Sequence, residues 1–182
     1  MASQADIETV LVNVIAALLN PQQGQAIDPN VTIARGWPTE ADIRSAVGQK
    51  ICLIGVYAHQ QAAKDITTNL RCWRTLGPGV GALEVGRMEQ VFKLDLWAPT
   101  PDRRDALCGA LMSALKAQLR YALPDGSTAT LSKLEITGPN DVPARANEWA
   151  QSLEITLIYP ILLVQEQVVV VEATQTTSIM TP

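Results

Sequence analysis

The side chains that most directly suggest nucleophilic chemistry are one histidine, His59, and the cysteines nearest to it, Cys52 and Cys72. A cysteine beside a histidine can form a reactive thiolate. Such catalysis also needs a group that orients the histidine and a site for the oxyanion, and neither is indicated by the sequence. We therefore predict that the protein is not an enzyme, and a pair of His59 with Cys52 or Cys72 defines the enzyme alternative.

Metal and cofactor sites are not indicated by the spacing of possible ligands. His59 has no second ligand near it, and the three cysteines lie too far apart for a zinc motif. The segment Gly77-Pro78-Gly79-Val80-Gly81 lacks the lysine and the helix start of a phosphate-binding loop, so it predicts a turn. We expect no cofactor, no metal, and cysteines that remain free thiols.

The carboxylates of the central segment have structural roles in the predicted elements. Asp102 and Asp105 begin a predicted helix, where negative charge is stabilising. Glu89 and Asp95 alternate with apolar residues on the predicted solvent face of a strand. A paired acid–base site is therefore not predicted.

Several arginine, tryptophan and valine residues are instead typical of a protein–protein interface. For the two arginines at the start of the predicted helix, the alternative is solvation and salt bridging with Asp102 and Asp105. The candidate interface residues are Arg71, Trp73, Arg74, Arg103, Arg104, Val168, Val169, Val170 and Val171.

The length and net charge of the chain limit the classes of protein to which it can belong. A chain of 182 residues with 47% apolar residues predicts one domain with a substantial core. The net charge of −4 gives no electrostatic reason to expect specific nucleic-acid binding. Residues 7–19 are apolar but follow acidic rather than basic residues and are too few to cross a bilayer, which takes about 20 residues. We expect no targeting segment and no membrane contact.

The central element is a strand, a turn and a helix within residues 88–122. The strand (residues 88–97) alternates apolar and polar side chains, and Thr100 and Pro101 are typical of a helix start. The helix is predicted to end near Tyr121, and its apolar stripe consists of Leu107, Ala110, Leu111, Ala114, Leu115 and Leu119.

Other elements surround this unit. Helix 4–19 is apolar on more than one stripe, which predicts burial on several sides, either by the domain itself or by a neighbouring subunit. A short strand (31–34) leads through the turn Gly36-Trp37-Pro38-Thr39 to a helix, where Thr39 and Asp42 predict a variant of the capping box. Strand 51–58 is apolar on both faces, which predicts a central strand that is covered on both sides. Further strands are predicted at 128–136 and 148–160, where Pro160 indicates a bulge or an edge because it cannot donate to a ladder.

These elements predict an α+β fold. It is a small mixed or antiparallel sheet with a long helix packed across it, an N-terminal helix, a protruding loop or hairpin and an extended C-terminal arm. The single domain spans residues 1–164 and includes the protruding segment 59–87. The arm spans residues 165–182, and its β-branched valines predict pairing with a neighbouring subunit. Deletion of the arm is expected to leave a folded domain that assembles poorly.

The order of the elements resembles the small neck and tail-completion proteins of tailed bacteriophages, most closely the tail terminators. The similarity covers residues 7–164. It is carried by the arm Asp65-Ile-Thr-Thr-Asn-Leu-Arg-Cys-Trp-Arg and by the unit Val91-Phe-Lys-Leu-Asp-Leu-Trp-Ala-Pro-Thr-Pro-Asp-Arg-Arg-Asp-Ala-Leu.

The resemblance implies a structural virion protein that forms a ring, usually of six subunits, at the head–tail junction. Such a ring terminates the tail tube and joins it to the head connector. The implied partners are other copies of the chain, the tail tube protein, head-side connector proteins and a sheath where one exists, with DNA passing through the lumen. The implied location is the neck of the virion, after assembly in the host cytoplasm. A connector, collar, baseplate or sheath-initiating protein of the same kind of machine is the alternative.

Overall fold

The structure, a computed structural model, describes residues 4–19, 30–59, 64–66, 72–77, 80–137 and 149–166. These contain helices α1 (Gln4–Leu19), α2 (Glu40–Gly48) and α3 (Pro101–Ala117). The strands are β1 (Val31–Arg35), β2 (Cys52–Ala58), β3 (Lys64–Asp65), β4 (Cys72–Gly77), β5 (Val80–Ala98), β6 (Arg120–Ala122), β7 (Thr128–Ile136) and β8 (Trp149–Glu166). The fold is α+β, as predicted.

One mixed sheet organises the described residues. Its strand order is β1-β2-β5-β8-β7-β6, and β3 and β4 add to β5 outside this order. Only β1 and β2 are parallel; the other pairs are antiparallel. Strands β5 and β8 pair along almost their whole length, from Val80 with Glu166 to Ala98 with Trp149. This two-stranded ribbon is the axis on which the other strands assemble.

The main core lies between one face of the sheet and helices α1 and α3. Ile7, Leu11 and Ile15 recur at four-residue spacing and form the fully buried stripe of α1. The fully buried side chains that meet this stripe on α3 and the strands include Leu107, Leu111, Leu115, Ile54, Phe92, Leu94, Leu96 and Leu153. The long helix therefore packs across the sheet, as the amphipathic pattern predicted.

A smaller core lies on the opposite face, beneath α2. Ile43 of α2 packs there with Leu53 of β2 and Trp97 of β5. Because the main core takes Cys52, Ile54 and other residues of the alternate register, β2 is covered on both faces. This confirms the interpretation of strand 51–58 as an internal strand.

Local capping chemistry defines the starts of α2 and α3. Thr39 accepts a hydrogen bond from the backbone N–H of Asp42, and the Asp42 carboxylate accepts one from the backbone N–H of Thr39. This reciprocal pair is the predicted capping box. Thr100 caps α3 by accepting from the backbone N–H of Arg103 at 3.3 Å, and Pro101 occupies the first turn.

The predicted end of α3 was wrong. The helix stops at Ala117, Leu119 is 59% exposed, and Tyr121 is buried in strand β6. Tyr121 pairs with Ala129 of β7, and its ring lies in the main core. The strand pairing and the burial of a tyrosine ring outweigh one more helical turn, which the local spacing of apolar residues alone favoured.

Helix α1 is fully buried within the described subunit along one stripe, while Val10, Val12, Val14 and Leu18 on its flanks are half-buried against the main core. The cover of these flanks by a neighbouring subunit stays a prediction. Ala16 and Ala17 are exposed. The flanks of α1 therefore remain partly accessible in the described subunit.

The protruding segment contains a hairpin, one of the two forms predicted for it, and the last strand extends beyond residue 160. Residues 80–87 belong to β5, and β4 pairs with β5 from Cys72–Glu84 to Gly77–Val80, which makes a hairpin. Strand β8 continues past Pro160 to Glu166. We call the three-stranded part formed by residues 72–77, 80–86 and 161–166 the distal sheet.

Pro160 lies where β8 changes its neighbours. It pairs with Arg87 of β5, whereas the pairing of β8 with β7 ends at Ile158. A register shift in β5 between Glu84 and Gly86 lies beside it. Pro160 therefore marks an edge, as its missing N–H predicted, while the bulge lies in the neighbouring strand β5, opposite Ile161 and Leu162.

Candidate functional site

The candidate interface residues fall into two groups. Arg71 and the four valines of residues 168–171 lie outside the described residues, and of Trp73 and Arg74 only the strand backbone is described. That backbone pairs with Leu83 and Ala82 of β5. Arg103 and Arg104 are described in full, and both make contacts within their own subunit.

Arg103 ties the start of α3 to the edge of the sheet. Its guanidinium donates to the carbonyl of Lys50 at 2.6 Å and to the carbonyl of Asn30 at 3.4 Å. Asn30 in turn accepts from the backbone N–H of Cys52 at 2.8 Å. Arg103 therefore joins α3 to the segments that precede β1 and β2.

Arg104 has its own partners beside β8. Its Nε donates to Asp105 at 2.8 Å, which agrees with the predicted salt bridge. Its guanidinium also lies 5.8 Å from the ring centre of Trp149, in a cation–π contact. These contacts are intramolecular, so an interface role of Arg104 stays a prediction.

Cys52 and His59, two of the residues considered for nucleophilic chemistry, are not close together in the structure. Cys52 and His59 lie at opposite ends of β2, about 20 Å apart at the rise of an extended strand. Cys52 and Cys108 are buried free thiols. Burial, with the Asp105 charge adding to it, raises the pKa of Cys108 and so disfavours its thiolate. The side chain of Cys72 lies outside the described residues.

No group of three or more histidine, cysteine, aspartate or glutamate side chains that could hold a metal occurs in the part of the chain that the structure describes. Within the same residues, no helix is both long and apolar enough to cross a bilayer.

A buried polar cluster lies where a solvent face was predicted. Asp95 is buried, not exposed, and its carboxylate accepts hydrogen bonds from the hydroxyls of Tyr57 and Ser152, the former at 2.6 Å. These residues are cross-strand neighbours on β2, β5 and β8, and the ion pair of Lys93 with Glu154 lies one step along the same face at 3.3 Å. The interpretation of Asp95 was wrong because strand alternation does not show that α2 and its flanking turn cover this face.

The chemistry of this cluster is structural. Burial raises the pKa of Tyr57, and the hydrogen bond and negative charge of Asp95 raise it further. A phenol in this setting stays protonated and acts only as a hydrogen-bond donor. The cluster therefore joins three strands by charge-assisted hydrogen bonds and provides no acid or base for catalysis.

A cavity of about 320 Å³ lies at the other end of the same face, beyond the end of the β7–β8 pairing. It is lined by Arg87, Arg120, Thr128, Thr130 and Pro160, among others. The Arg87 Nε donates to the buried Glu84 at 2.8 Å. The polar lining can accommodate an anionic group, but it places no nucleophile or metal ligand beside one.

An exposed tryptophan stands beside α2. Trp37 is 61% exposed. Its ring makes edge-to-face contacts with Tyr57, 5.2 Å between ring centres, and with Trp97, 5.6 Å between ring centres. The preceding Gly36 has a φ of +87° and donates its N–H to the Val56 carbonyl at 2.7 Å, which sets the direction of the turn.

Trp37 forms one wall of a groove of about 440 Å³ between strand β1 and helix α2. We call it the β1–α2 groove. Ala34, Ala46 and Leu53 contribute apolar surface, while Arg35, Asp42, Ser45 and Gln49 contribute polar groups. From the sequence, Gly36-Trp37-Pro38-Thr39 was predicted only as a turn. The signal of an exposed surface is the tryptophan itself, an apolar ring between two turn-forming residues.

Comparison with known proteins adds no relative: no protein-family model matches the chain, and no curated protein matches its sequence.

Proposed function

We propose that this protein is a structural subunit of a tailed-bacteriophage neck, and that it forms a ring that terminates the tail tube and joins it to the head connector. The proposal begins from the strand–Pro–helix unit around Thr100 and from the order of elements. The α+β architecture, with a long helix packed across the sheet, agrees with it. A ring that interacts with the tail tube and the connector has structural partners and needs no catalytic centre.

The observation that carries the proposal is the distal sheet. Among the described side chains, the main core includes no residue of β5 before Met88 and no residue of β8 after Tyr159, although Ala82 and Leu162 are themselves buried. The β5–β8 ribbon therefore continues for about 20–25 Å past the helix-covered core, at the rise of an extended strand. In the described residues β8 has no strand partner on its β7 side after Ile158. Such an edge is a template for pairing with another chain.

The test is assembly. Sedimentation velocity over a wide concentration range and negative-stain imaging, each with and without purified tail tubes, should detect rings or subunits that cap the tube ends. A protein that stays monomeric under all these conditions and never binds a tube would exclude the proposal. Rings that bind a baseplate or a connector but not the tube end would favour another structural component of the same machine.

A control separates assembly from chemistry. His59→Ala is expected to leave ring formation and tube capping unchanged, because His59 makes no described side-chain hydrogen bond. A variant that folds and assembles but no longer supports particle formation would point back to the enzyme alternative.

A further inference from the structure

We propose that the β1–α2 groove binds the C-terminal valine run, residues 168–171, of a neighbouring copy of this chain as an added β-strand. The inference rests on the proposed ring, because it specifies a contact that would join one subunit to the next. It is carried by an open strand edge, an adjoining apolar groove, a prepositioned tryptophan and the distance between the groove and the end of β8.

The open edge belongs to β1. Among the described residues β1 is the terminal strand and pairs with β2 alone. Its register is continuous, and Val31, Thr32, Ile33 and Ala34 include no charge and no proline. Lysines, prolines and bulges are the usual devices that prevent a strand edge from pairing with another chain. Strand β1 lacks them before Arg35.

The exposed edge of β7 is less suited to accept an added strand. Strand β7 has a register shift between Leu131 and Lys133. In the part of β7 that extends beyond β6, the side chains of Lys133 and Glu135 form an ion pair of 2.7 Å. A bulge and charged side chains oppose the addition of a strand there. Of these two ends of the main sheet, β1 is therefore the better acceptor.

The groove suits a strand of small β-branched residues. Thr32 and Ala34 of β1 border it on one side and Ala46 of α2 on the other, so small side chains leave the space open. In an added strand, alternate side chains point to the same face. Two of the four valines would then enter the groove, and the backbone of the added strand would form hydrogen bonds with β1 that contribute to the affinity.

Trp37 supplies a rigid anchor at the rim. Its edge-to-face contacts with Tyr57 and Trp97 hold the ring in place before any partner arrives. Exposed aromatic residues that are already ordered lose little conformational freedom on binding and are frequent hot spots of interfaces. A strand laid along β1 would cover the exposed part of this ring.

The valine run cannot reach the groove of its own subunit. Leu53 pairs with Trp97, which pairs with Ala150, so the groove lies level with the beginning of β8. Strand β8 ends at Glu166, about 50 Å further along the strand. The valine run lies within about 20 Å of that end even when fully extended. The groove must therefore receive the run of a second copy.

This placement also suits a ring. The donor segment and the acceptor groove lie at opposite ends of one subunit, so each copy can donate to one neighbour and accept from another. Such a head-to-tail contact is heterologous, and it closes into a ring when the rotation between subunits permits. A reciprocal exchange between two copies would use the same two surfaces in a two-fold dimer, and sedimentation of the full-length chain separates the two, because the proposed ring predicts species larger than a dimer.

The first experiment is a peptide titration. The acceptor is the full-length chain in which Val168→Ser, Val169→Ser, Val170→Ser and Val171→Ser remove its own donor segment. The probe is a peptide with the sequence of residues 165–174. We expect saturable binding in calorimetry, at least about tenfold weaker when Trp37→Ala or Ser45→Arg is added to the acceptor.

Ala41→Arg is the matched control. Ala41 is exposed on the same helix but does not line the groove, so the same side chain placed there should leave peptide affinity unchanged. No binding of the peptide would overturn the proposal. Equal binding by the Trp37→Ala, Ser45→Arg and Ala41→Arg acceptors would overturn it as well.

The second experiment mixes two defective chains. The serine-run variant keeps its groove, and full-length Ser45→Arg keeps its valine run. Each should be monomeric alone, and an equimolar mixture should form a one-to-one pair and no larger species in sedimentation. A mixture that stays monomeric, or a serine-run variant that still forms rings, would overturn the groove contact.

The outcomes separate this inference from the proposed function. Rings that cap tail tubes regardless of the valine run would leave the function standing and remove the groove contact. Peptide binding at the groove by a full-length protein that never binds a tube would support the groove contact and exclude the proposed function.

Discussion

Asp95 illustrates how one side chain can connect three strands. Its carboxylate accepts from Tyr57 on one neighbouring strand and from Ser152 on the other. A buried carboxylate is costly unless such donors compensate its lost hydration. The arrangement therefore stabilises the β2–β5–β8 register, and removing the acceptor leaves two hydroxyls without their partner.

Asp95→Ala is expected to lower the free energy of unfolding by about 2–4 kcal/mol, because the buried Ser152 and the half-buried Tyr57 lose their acceptor and a cavity remains. Urea unfolding followed by circular dichroism measures this. Glu135→Ala is the control: its ion pair with Lys133 is largely exposed, so the expected loss is below about 1 kcal/mol. Equal losses in the two variants would contradict the structural role of Asp95.

The phenol of Tyr57 makes the free energy of unfolding depend on pH in the alkaline range. Its folded pKa lies above the ordinary value of 10.0, so the unfolded chain releases the phenol proton first as pH rises. The Tyr57 contribution is present in full below about pH 10 and is lost above it. Tyr121 and Tyr159 have raised pKa values through burial and act in the same direction.

We therefore expect Tyr57→Phe to make the fall of the unfolding free energy above pH 10 less steep. Between pH 7 and 9 the variant should differ from the parent by a constant amount, the loss of the hydrogen bond to Asp95. Urea unfolding at several pH values tests both parts. Identical slopes above pH 10 would show that Tyr57 titrates alike in the folded and unfolded chains.

At the scale of elements, the turn between β1 and α2 depends on a glycine in β2. A Cβ added at Gly55 would lie 2.8 Å from the Cδ of Pro38 and 3.2 Å from the Gly36 carbonyl oxygen. Gly55 therefore allows the turn that carries Trp37 to lie directly on the sheet. This close approach explains a glycine within an otherwise apolar, internal strand.

Gly55→Ala should accordingly destabilise the protein by about 1–3 kcal/mol, because backbone and proline atoms must move to admit the methyl group. Gly109→Ala is a matched control at an exposed position of helix α3, where nothing lies within 4 Å of an added Cβ. That change should stabilise the fold by about 0.5–1 kcal/mol, since alanine is the better helix former. Thermal unfolding of both variants measures these changes in stability. Changes of the same sign in the two variants would contradict the steric argument.

At the scale of the whole molecule, the main question is where the C-terminal valines bind. Burying the two valines that would enter the groove contributes of order 3–6 kcal/mol, and ordering the backbone of the four-residue run costs about 1–2 kcal/mol per residue. These terms nearly cancel, so the backbone hydrogen bonds to β1 of a neighbouring subunit are needed to order the segment. Strand β8 continues two residues past the predicted domain end at residue 164, since Gln165 and Glu166 pair with Gly81 and Val80.

Amide exchange measures the ordering directly. In an isolated subunit the amides of residues 168–171 should exchange rapidly, and in the ring they should be protected. The ladder of Phe92, Leu94 and Leu96 within β5 serves as an internal reference, because it is buried and paired on both sides. Strong protection of residues 168–171 in the monomer would place them in the subunit's own sheet.

The features that the sequence alone determined depend on interactions between residues that are close together in the chain. The capping box of Thr39 and Asp42, the start of α3 at Thr100 and Pro101, and the bounds of β7 all agree with the predictions. Each depends on residues within a few positions of one another. The α+β class likewise followed from the periodicity of apolar residues along separate segments.

Only the tertiary structure decided the placements that depend on distant partners. Tyr121 enters a strand because Ala129 pairs with it, and Asp95 is buried because Tyr57 and Ser152 lie on the neighbouring strands. The β1–α2 groove exists because Gly55 admits Pro38 from another element. Such contacts join residues far apart in the chain, and the spacing of nearby residues contains no record of them.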